Sequence, residues 1–124
     1  MTTAEKIEKL KEYYSKPENF WPIYWWFMHL CTLMNEDKFT VDKMKEFMEM
    51  IQWYLPCITC RGNLWSKLEK FPYTDELRYQ EHSASKYINT MHNMANIALS
   101  KKLIPYEEWI DMMFLTINNK WLKQ

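Results

Sequence analysis

Residues 40–61 read TVDKMKEFMEMIQWYLPCITCR, and the fold turns on how the stretch before Pro56 prepares the stretch after it. Val41, Met44, Phe47, Met48, Ile51 and Leu55 recur at helical spacing, while Lys43, Glu46 and Glu49 lie away from that stripe. The pattern predicts an amphipathic helix, with Thr40 placed to cap its first turn. Pro56 breaks this helix and restarts the chain as a new one carrying Cys57 and Cys60. Positions i and i+3 share a helix face, so the two thiols can bond. Pro56 also puts Cys57 at a helix N-terminus. Unpaired N–H groups and the positive end of the macrodipole stabilise a thiolate there and make it reactive. Thioredoxin-like folds carry a CxxC after a β-strand. Here a methionine- and glutamate-rich helix precedes it, which excludes that architecture.

The composition agrees with an all-α chain. Its 124 residues hold one glycine, Gly62, and five prolines, too few turn residues for a set of hairpins. That length fits one domain able to bury a single core. Lysine plus arginine and aspartate plus glutamate both number 16, so no basic footprint for nucleic acid is present. Three cysteines cannot close a secreted disulfide framework. The N-terminal MTTAEKIEKLKEYY is charged and amphipathic, without the apolar core of a secretory signal. The most apolar run, Phe20 to Met34, contains a proline and a histidine and falls short of the ~20 residues of a membrane span. A soluble protein is expected. Seven tryptophans, eight tyrosines and ten methionines serve either a bulky core or a flat aromatic ligand held within one.

Thr2 and Glu5 make a capping box before Ile7, Leu10 and Tyr14, so a first, peripheral helix is expected to end at Pro17. The expected organisation is one domain over residues 1–124, with this helix at 1–17 and a core at 18–119. Pro22 stands at the front of a segment that is apolar nearly all round to Met34, as in a buried central helix. Asn35 to Asp37 connect it to the helix that opens at Thr40. A polar connection, FPYTDELRYQEH, leads to Ser83 or Ser85 as the cap of a long helix ending near Leu103. Pro105 then opens a final helix containing Trp109, Met112, Met113 and Leu115. The helices of Phe20–Met34 and Val41–Leu55 together offer more apolar surface than one small bundle needs, which predicts a symmetric homodimer held by both.

A CxxC alone is a weak signal. Zinc would need four ligands, and Cys57 and Cys60 could recruit His29, Cys31, His82 or His92, though no second pair has tidy metal spacing. No metal site is assigned. Cys31, in the most apolar segment, reads as a buried, inert thiol. Two polar clusters bear on the choice. Trp25 and His29 lie four apart on one helix, so ring and imidazole are expected to stack on one face. His92, Asn93 and Asn96 place polar groups in the middle of another, with His92 and Asn96 on one face. Either cluster could be a satisfied core histidine with a surface asparagine. Together, beside a reactive CxxC, they point to a polar ligand inside a bundle.

Taken in order, Trp25–His29 in WWFMH, Pro56–Arg61 in PCITCR, His92–Asn96 in HNMAN, Leu99–Lys101 in LSK and then Trp109 resemble the Erv/ALR flavin-linked sulfhydryl oxidases over roughly residues 20 to 110. The short build resembles the versions carried by large cytoplasmic DNA viruses. Four positions depart from the family's habit. Trp21 stands where a glycine is usual, and Met34 and Asn35 stand where a tyrosine is common. Asn63 replaces a histidine three after the second cysteine, and Tyr87 a tryptophan before the HN pair.

The resemblance implies a four-helix bundle with a short fifth helix, non-covalent FAD at its mouth, and a homodimer. It implies that Cys57 is the interchange cysteine and that Cys60 lies against the flavin. Trp25 and His29 would pack on the flavin and adenine ends of the cofactor, His92, Asn93 and Asn96 would contact its adenine and ribose side, and Tyr87 would also belong to the cofactor site. Lys101 and Lys102 would meet the pyrophosphate, and Trp109 would stack near the adenine. The implied activity is FAD-dependent thiol oxidation with molecular oxygen as acceptor and hydrogen peroxide as product, in the host cytoplasm or the virion. The competing class is a zinc-stapled or flavin-free helical interaction module. No cysteine occurs in residues 61–124, so no relay pair follows the CxxC in this sequence. Cys57, flanked by Trp53, Tyr54 and Ile58, is expected to meet a dithiol partner directly. A thioredoxin-like protein with its own CxxC suits that apolar rim.

Overall fold

Capping residues and prolines divide the chain into its helices. In a computed structural model describing residues 1–118, Thr2 closes a full capping box with Glu5 at the start of α1 (Thr3–Tyr14). Ser15 and Lys16 turn the chain, and Pro17 opens α2 (Pro17–Met34). This helix begins five residues before Pro22, so Pro22 lies inside it and removes the rung to Glu18. A 3-10 turn, Glu36–Lys38, follows. The Thr40 hydroxyl accepts the Lys43 N–H at 3.1 Å and caps α3 (Val41–Trp53). Pro56 separates α3 from α4 (Ile58–Lys70), whose N-cap is Cys57.

The polar connection that follows α4 is not all loop. Thr74 caps a single helical turn, α5 (Asp75–Arg78). The long helix α6 (Ser83–Ala98) is preceded by His82 in the left-handed region at φ 55°. Neither Ser83 nor Ser85 caps it, contrary to expectation. Both are buried within the helix, where Ser83 Oγ donates to the Arg78 carbonyl and Ser85 Oγ accepts the Tyr106 hydroxyl.

The end of α6 is a second correction, since it stops at Ala98 rather than near Leu103. Ser100 takes φ 55°, with Ser100 N–H bonded to Ile97 O and Lys101 N–H to Asn96 O at 2.7 Å. These are the two bonds of a Schellman closure. Glycine normally marks that turn in a sequence; a serine left it unannounced. Pro105 then caps α7 (Tyr106–Leu115) as expected, and a 3-10 turn, Thr116–Asn118, completes the described chain.

The expected all-α architecture holds, and no strand occurs among the described residues. Helices α2 and α6 pack on each other, as do antiparallel α3 and α4. Phe20, Met28, Met44, Met48, Leu55, Leu64, Ile88 and Met91 fill the space between the pairs. Four of these are methionines, whose unbranched, flexible side chains fill the irregular space around the aromatic rings. α7 lies against α6, and α1 lies outside with no buried residue.

Helix α2 departs from the expectation of burial all round. Phe20, Trp25, Met28, His29 and Thr32 face the core, while Ile23, Phe27, Leu30 and Met34 form an exposed stripe on the other side. The helices packed against it cover only one face. Among the described residues no helix is long and apolar enough to cross a membrane. The expected core boundary at residue 119 lies outside the described residues.

Candidate redox and cofactor site

At the N-terminus of α4, Cys57 and Cys60 form a disulfide with their Cα atoms 5.2 Å apart. Sequence spacing and local structure meet here without help from the rest of the fold. As N-cap, Cys57 turns its sulfur back to accept the Cys60 N–H at 3.3 Å, and the Thr59 hydroxyl donates to the same sulfur at 3.1 Å. Cys60 is buried and Cys57 is half-buried. An incoming thiolate therefore reaches Cys57 first. Its attack would break the bond and release Cys60 as a thiolate at a helix N-terminus, where that charge is stabilised.

Two tertiary contacts hold the approach to this pair. Arg61 Nε donates to the Leu55 carbonyl at 3.0 Å, and the Tyr24 hydroxyl donates to the Tyr54 carbonyl at 3.0 Å. They pin the two carbonyls just before Pro56, one from α2 and one from α4. Sequence reasoning gave Arg61 no role beyond the motif and did not single out Tyr24. The Tyr24 contact spans thirty residues, a separation at which local pattern carries no signal.

The second cluster draws on three helices. Trp25 of α2 stacks on His92 of α6 at 4.5 Å with an 8° interplanar angle. His29 Nε2 lies 3.1 Å from His92 Nδ1. Trp109 of α7 closes over His29 at 4.3 Å. Trp21 extends the row by stacking on Trp25 at 5.5 Å, and Trp26 meets Trp109 edge-on at 5.7 Å. The i, i+4 spacing of Trp21 and Trp25 was the available signal for the first of these additions.

Electrostatics inside the cluster favour neutral imidazoles. Burial, reinforced by His92, pushes His29 down to about 3. Burial, reinforced by the Lys101 charge, pushes His92 down to about 4. Between two neutral rings one N–H is shared, whichever tautomer each adopts. Two buried polar atoms remain without partners, His29 Nδ1 and Trp109 Nε1. Each costs about 1–3 kcal/mol when left unmet.

The remaining expected residues divide. Asn93 holds backbone: its amide nitrogen donates to the Ile104 carbonyl at 2.8 Å and its oxygen accepts the Ile104 N–H at 2.9 Å. Asn89 donates to the same carbonyl, a contact the sequence did not announce. Asn96 is buried beside Asn93, with its amide nitrogen 3.5 Å from the Asn93 oxygen. These bonds tether the connection that carries exposed Lys101 and Lys102. Tyr87 stands apart. Its ring packs on Phe71 and Tyr73, its hydroxyl donates to the Phe71 carbonyl at 2.6 Å, and burial pushes its pKa up to about 12.

Cys31 is a free, half-buried thiol whose pKa burial raises. Among the described residues no three His, Cys, Asp or Glu side chains converge as a metal site. The two unmet polar atoms sit among flat rings, with a lysine charge close enough to bias His92. Such a setting fits a ligand combining an aromatic base, hydrogen-bonding ring atoms and negative charge.

Comparison with known proteins agrees with the motif order. The profile of the Erv1 / Alr family matches residues 22–115. The chain is 32% identical over 107 residues to the probable FAD-linked sulfhydryl oxidase of Acanthamoeba polyphaga mimivirus, covering 81% of this chain and 73% of that protein. It is 32% identical over 98 residues to the FAD-linked sulfhydryl oxidase of African swine fever virus (isolate Warthog/Namibia/Wart80/1980), covering 71% of this chain and 74% of the relative. No solved structure matches.

Proposed function

The chain belongs to the Erv1 / Alr family, and from that premise we propose that it is an FAD-linked sulfhydryl oxidase forming disulfides in dithiol partners. The observation that carries this reading is the Cys57–Cys60 disulfide at the start of α4, with one sulfur accessible and the other buried. A substrate thiolate attacks Cys57 Sγ, and the Cys57–Cys60 bond breaks to leave a Cys60 thiolate. The second substrate thiolate then attacks the substrate sulfur of the mixed disulfide. Cys57 departs as a thiolate, and the substrate leaves as a disulfide. Two electrons now reside on the cysteine pair of this chain.

FAD, when bound, supplies the acceptor that returns the pair to its disulfide, with molecular oxygen as the final oxidant and hydrogen peroxide as the product. Trp25, His29, His92 and Trp109 are the residues we assign to hold it, together with Asn96, Lys101 and Lys102. The unmet His29 Nδ1 and Trp109 Nε1 support that assignment, because a nucleotide offers both donors and acceptors. Neutral histidines keep the site free of fixed positive charge, so the lysines are left to meet the pyrophosphate. Asn93 acts one step back, fixing the connection that carries those lysines. Tyr87, packed on Phe71 and Tyr73 on the same helix as His92, would touch the cofactor only at the edge of this site.

The exposed stripe of Ile23, Phe27, Leu30 and Met34, beside exposed Met50 of α3, supports a homodimer through α2 and α3. Trp53 and Tyr54, 71% and 69% exposed next to the cysteine loop, support a thioredoxin-like partner with its own CxxC. The viral relatives support action as a soluble protein in the host cytoplasm or the virion. Reconstitution tests the core of this reading. Purified protein loaded with FAD should consume oxygen in proportion to added dithiothreitol and yield equimolar peroxide. A protein that takes up no flavin, or holds flavin without oxidising the dithiol, would overturn it.

A further inference from the structure

Two recesses lie along one side of the α3–α4 pair. One, of about 420 Å³, is lined by Glu49, Gln52, Trp53, Arg61 and Trp65. The other, of about 310 Å³, lies between Val41, Met44 and Lys45 of α3 and Leu68 and Glu69 of α4, is closed at its far end by Pro72, Tyr73 and Tyr87, and again includes Trp65. Trp65 borders both, and we read the two recesses as one groove running past it. The α4 side of it is a helical stripe, 61–65–68–69, and one turn before Arg61 on the same stripe stands Cys57. The groove is therefore the continuation of the exchange site along its own helix. Its α3 side spans residues 41 to 53, about 18 Å at 1.5 Å per residue. An extended chain of about five residues covers that length.

The lining has the character of a polypeptide site. Trp65 is half-buried and held by its Nε1–H bond to Glu69 at 2.8 Å, while Trp53 is 71% exposed. Between them is room for an apolar side chain. Gln52 Oε1 is buried in the wall without a hydrogen-bond partner, an acceptor that a backbone N–H can satisfy. Arg61 spends only Nε on the Leu55 carbonyl and makes no ion pair among the described residues. The rest of its guanidinium is free for an acidic side chain. The face proposed above for the dimer lies elsewhere, on Ile23, Phe27, Leu30, Met34 and Met50.

We infer that this groove docks an extended segment of the substrate protein flanking its reactive cysteine on one side. That segment carries an apolar residue seated between Trp53 and Trp65 and an acidic residue meeting Arg61. The inference rests on the thiol-oxidase reading, and it makes that enzyme selective among dithiols. A groove on one side of Cys57 also predicts asymmetry, because only one of the two flanks of a substrate cysteine can lie in it.

Two readouts test it, one of them independent of flavin. In the first, FAD-loaded protein oxidises a reduced Cys-Ala-Ala-Cys tetrapeptide, the same core with a Phe- and Glu-bearing flank on its N-terminal side, and the core with that flank on its C-terminal side. One flanked peptide is expected to exceed the core by about tenfold in kcat/KM, roughly the worth of 1.4 kcal/mol of binding, and the other to match the core. In Trp53→Ala and in Gln52→Leu that ratio should collapse towards one. Equal gains from both flanks, no gain from either, or an undiminished ratio in both variants would overturn the groove.

In the second readout, Cys60→Ser leaves Cys57 as a lone thiol. It captures single-cysteine versions of the flanked peptides activated as thionitrobenzoate disulfides, with Cys57 sulfur joining the peptide sulfur and thionitrobenzoate leaving. A benzophenone in the flank should cross-link to residues 49–53 or 61–65. Cross-links to α2, to α7 or to a second copy would refute the proposal. If dithiols of every kind go unoxidised by the flavin-loaded protein, the oxidase reading falls while this capture still decides the groove.

Discussion

Acid should loosen this protein earlier than its carboxylates would dictate, because two histidines are buried neutral. An imidazole ordinarily titrates at 6.5, and here His29 is pushed down to about 3 and His92 to about 4. A folded pKa below the unfolded value means that the unfolded chain binds more protons through the window between them. Stability is therefore full above about 6.5 and is lost as pH falls towards 4 and then 3. Each fully shifted group loses about 1.4 kcal/mol per pH unit once below its unfolded pKa, or about 2 kcal/mol between pH 7 and pH 5. His92 keeps part of its surface in water, and about half of its share is lost to screening. The pair should then cost the apoprotein about 3 kcal/mol over that interval, a fall of roughly 10 °C in Tm for a chain of this size. Urea unfolding of the apoprotein at pH 7, 6 and 5 measures it. His29→Gln should remove most of the slope. A wild-type midpoint that holds within about 0.5 kcal/mol from pH 7 to pH 5 would refute the reasoning.

Replacing Cys57 or Cys60 with serine should abolish oxidation of dithiothreitol, while Cys31→Ser should keep most of it; loss of activity in a stable Cys31 variant would mean the third thiol takes part. Trp109→Phe keeps a ring over His29 but deletes the unmet N–H. FAD retention should fall about tenfold with the urea midpoint of the apoprotein unchanged or raised, and equal retention at matched stability would count against the assigned role. Asn93→Ala removes both bonds to Ile104 and should cost about 1–3 kcal/mol. Faster amide exchange is expected across residues 99–105; unchanged exchange there would show that the connection is held by other means. Phe27→Asp places a charge in the middle of the exposed stripe of α2 and should give a monomer by sedimentation where the wild type is dimeric. A wild type that is already monomeric at micromolar concentration with flavin bound would sink the dimer.

The helical architecture and the cysteine pair could be had from local pattern alone. A cap at Thr40, an apolar stripe to Leu55 and a proline before Cys57 are interactions among residues within a turn or two of each other. Their outcome depends little on the rest of the chain. That Trp25 and His29 share one helix face, and His92 and Asn96 another, was legible for the same reason; that Trp25 stacks on His92 rather than on His29 was not. Helix ends were less so where the usual residue was missing, as at Ser100, which makes a glycine's turn without being one.

What the sequence could not hold is which side of a helix finds a partner. Helix α2 is apolar on every face, and only the packing of α3, α4 and α6 decides that Met28 and Thr32 go inward while Phe27 and Met34 stay out. The same holds for the polar groups. Asn93 and Asn96 look alike in HNMAN, yet three-dimensional proximity commits Asn93 to the Ile104 backbone and leaves His29 Nδ1 and Trp109 Nε1 unmet. Hydrogen bonds and burial are settled by neighbours that the fold brings together, eleven residues away for Asn93 and Ile104 and sixty-three for His29 and His92. For that reason the chemistry of this protein could be read along one helix, while the shape of its binding surfaces had to wait for all of them to pack.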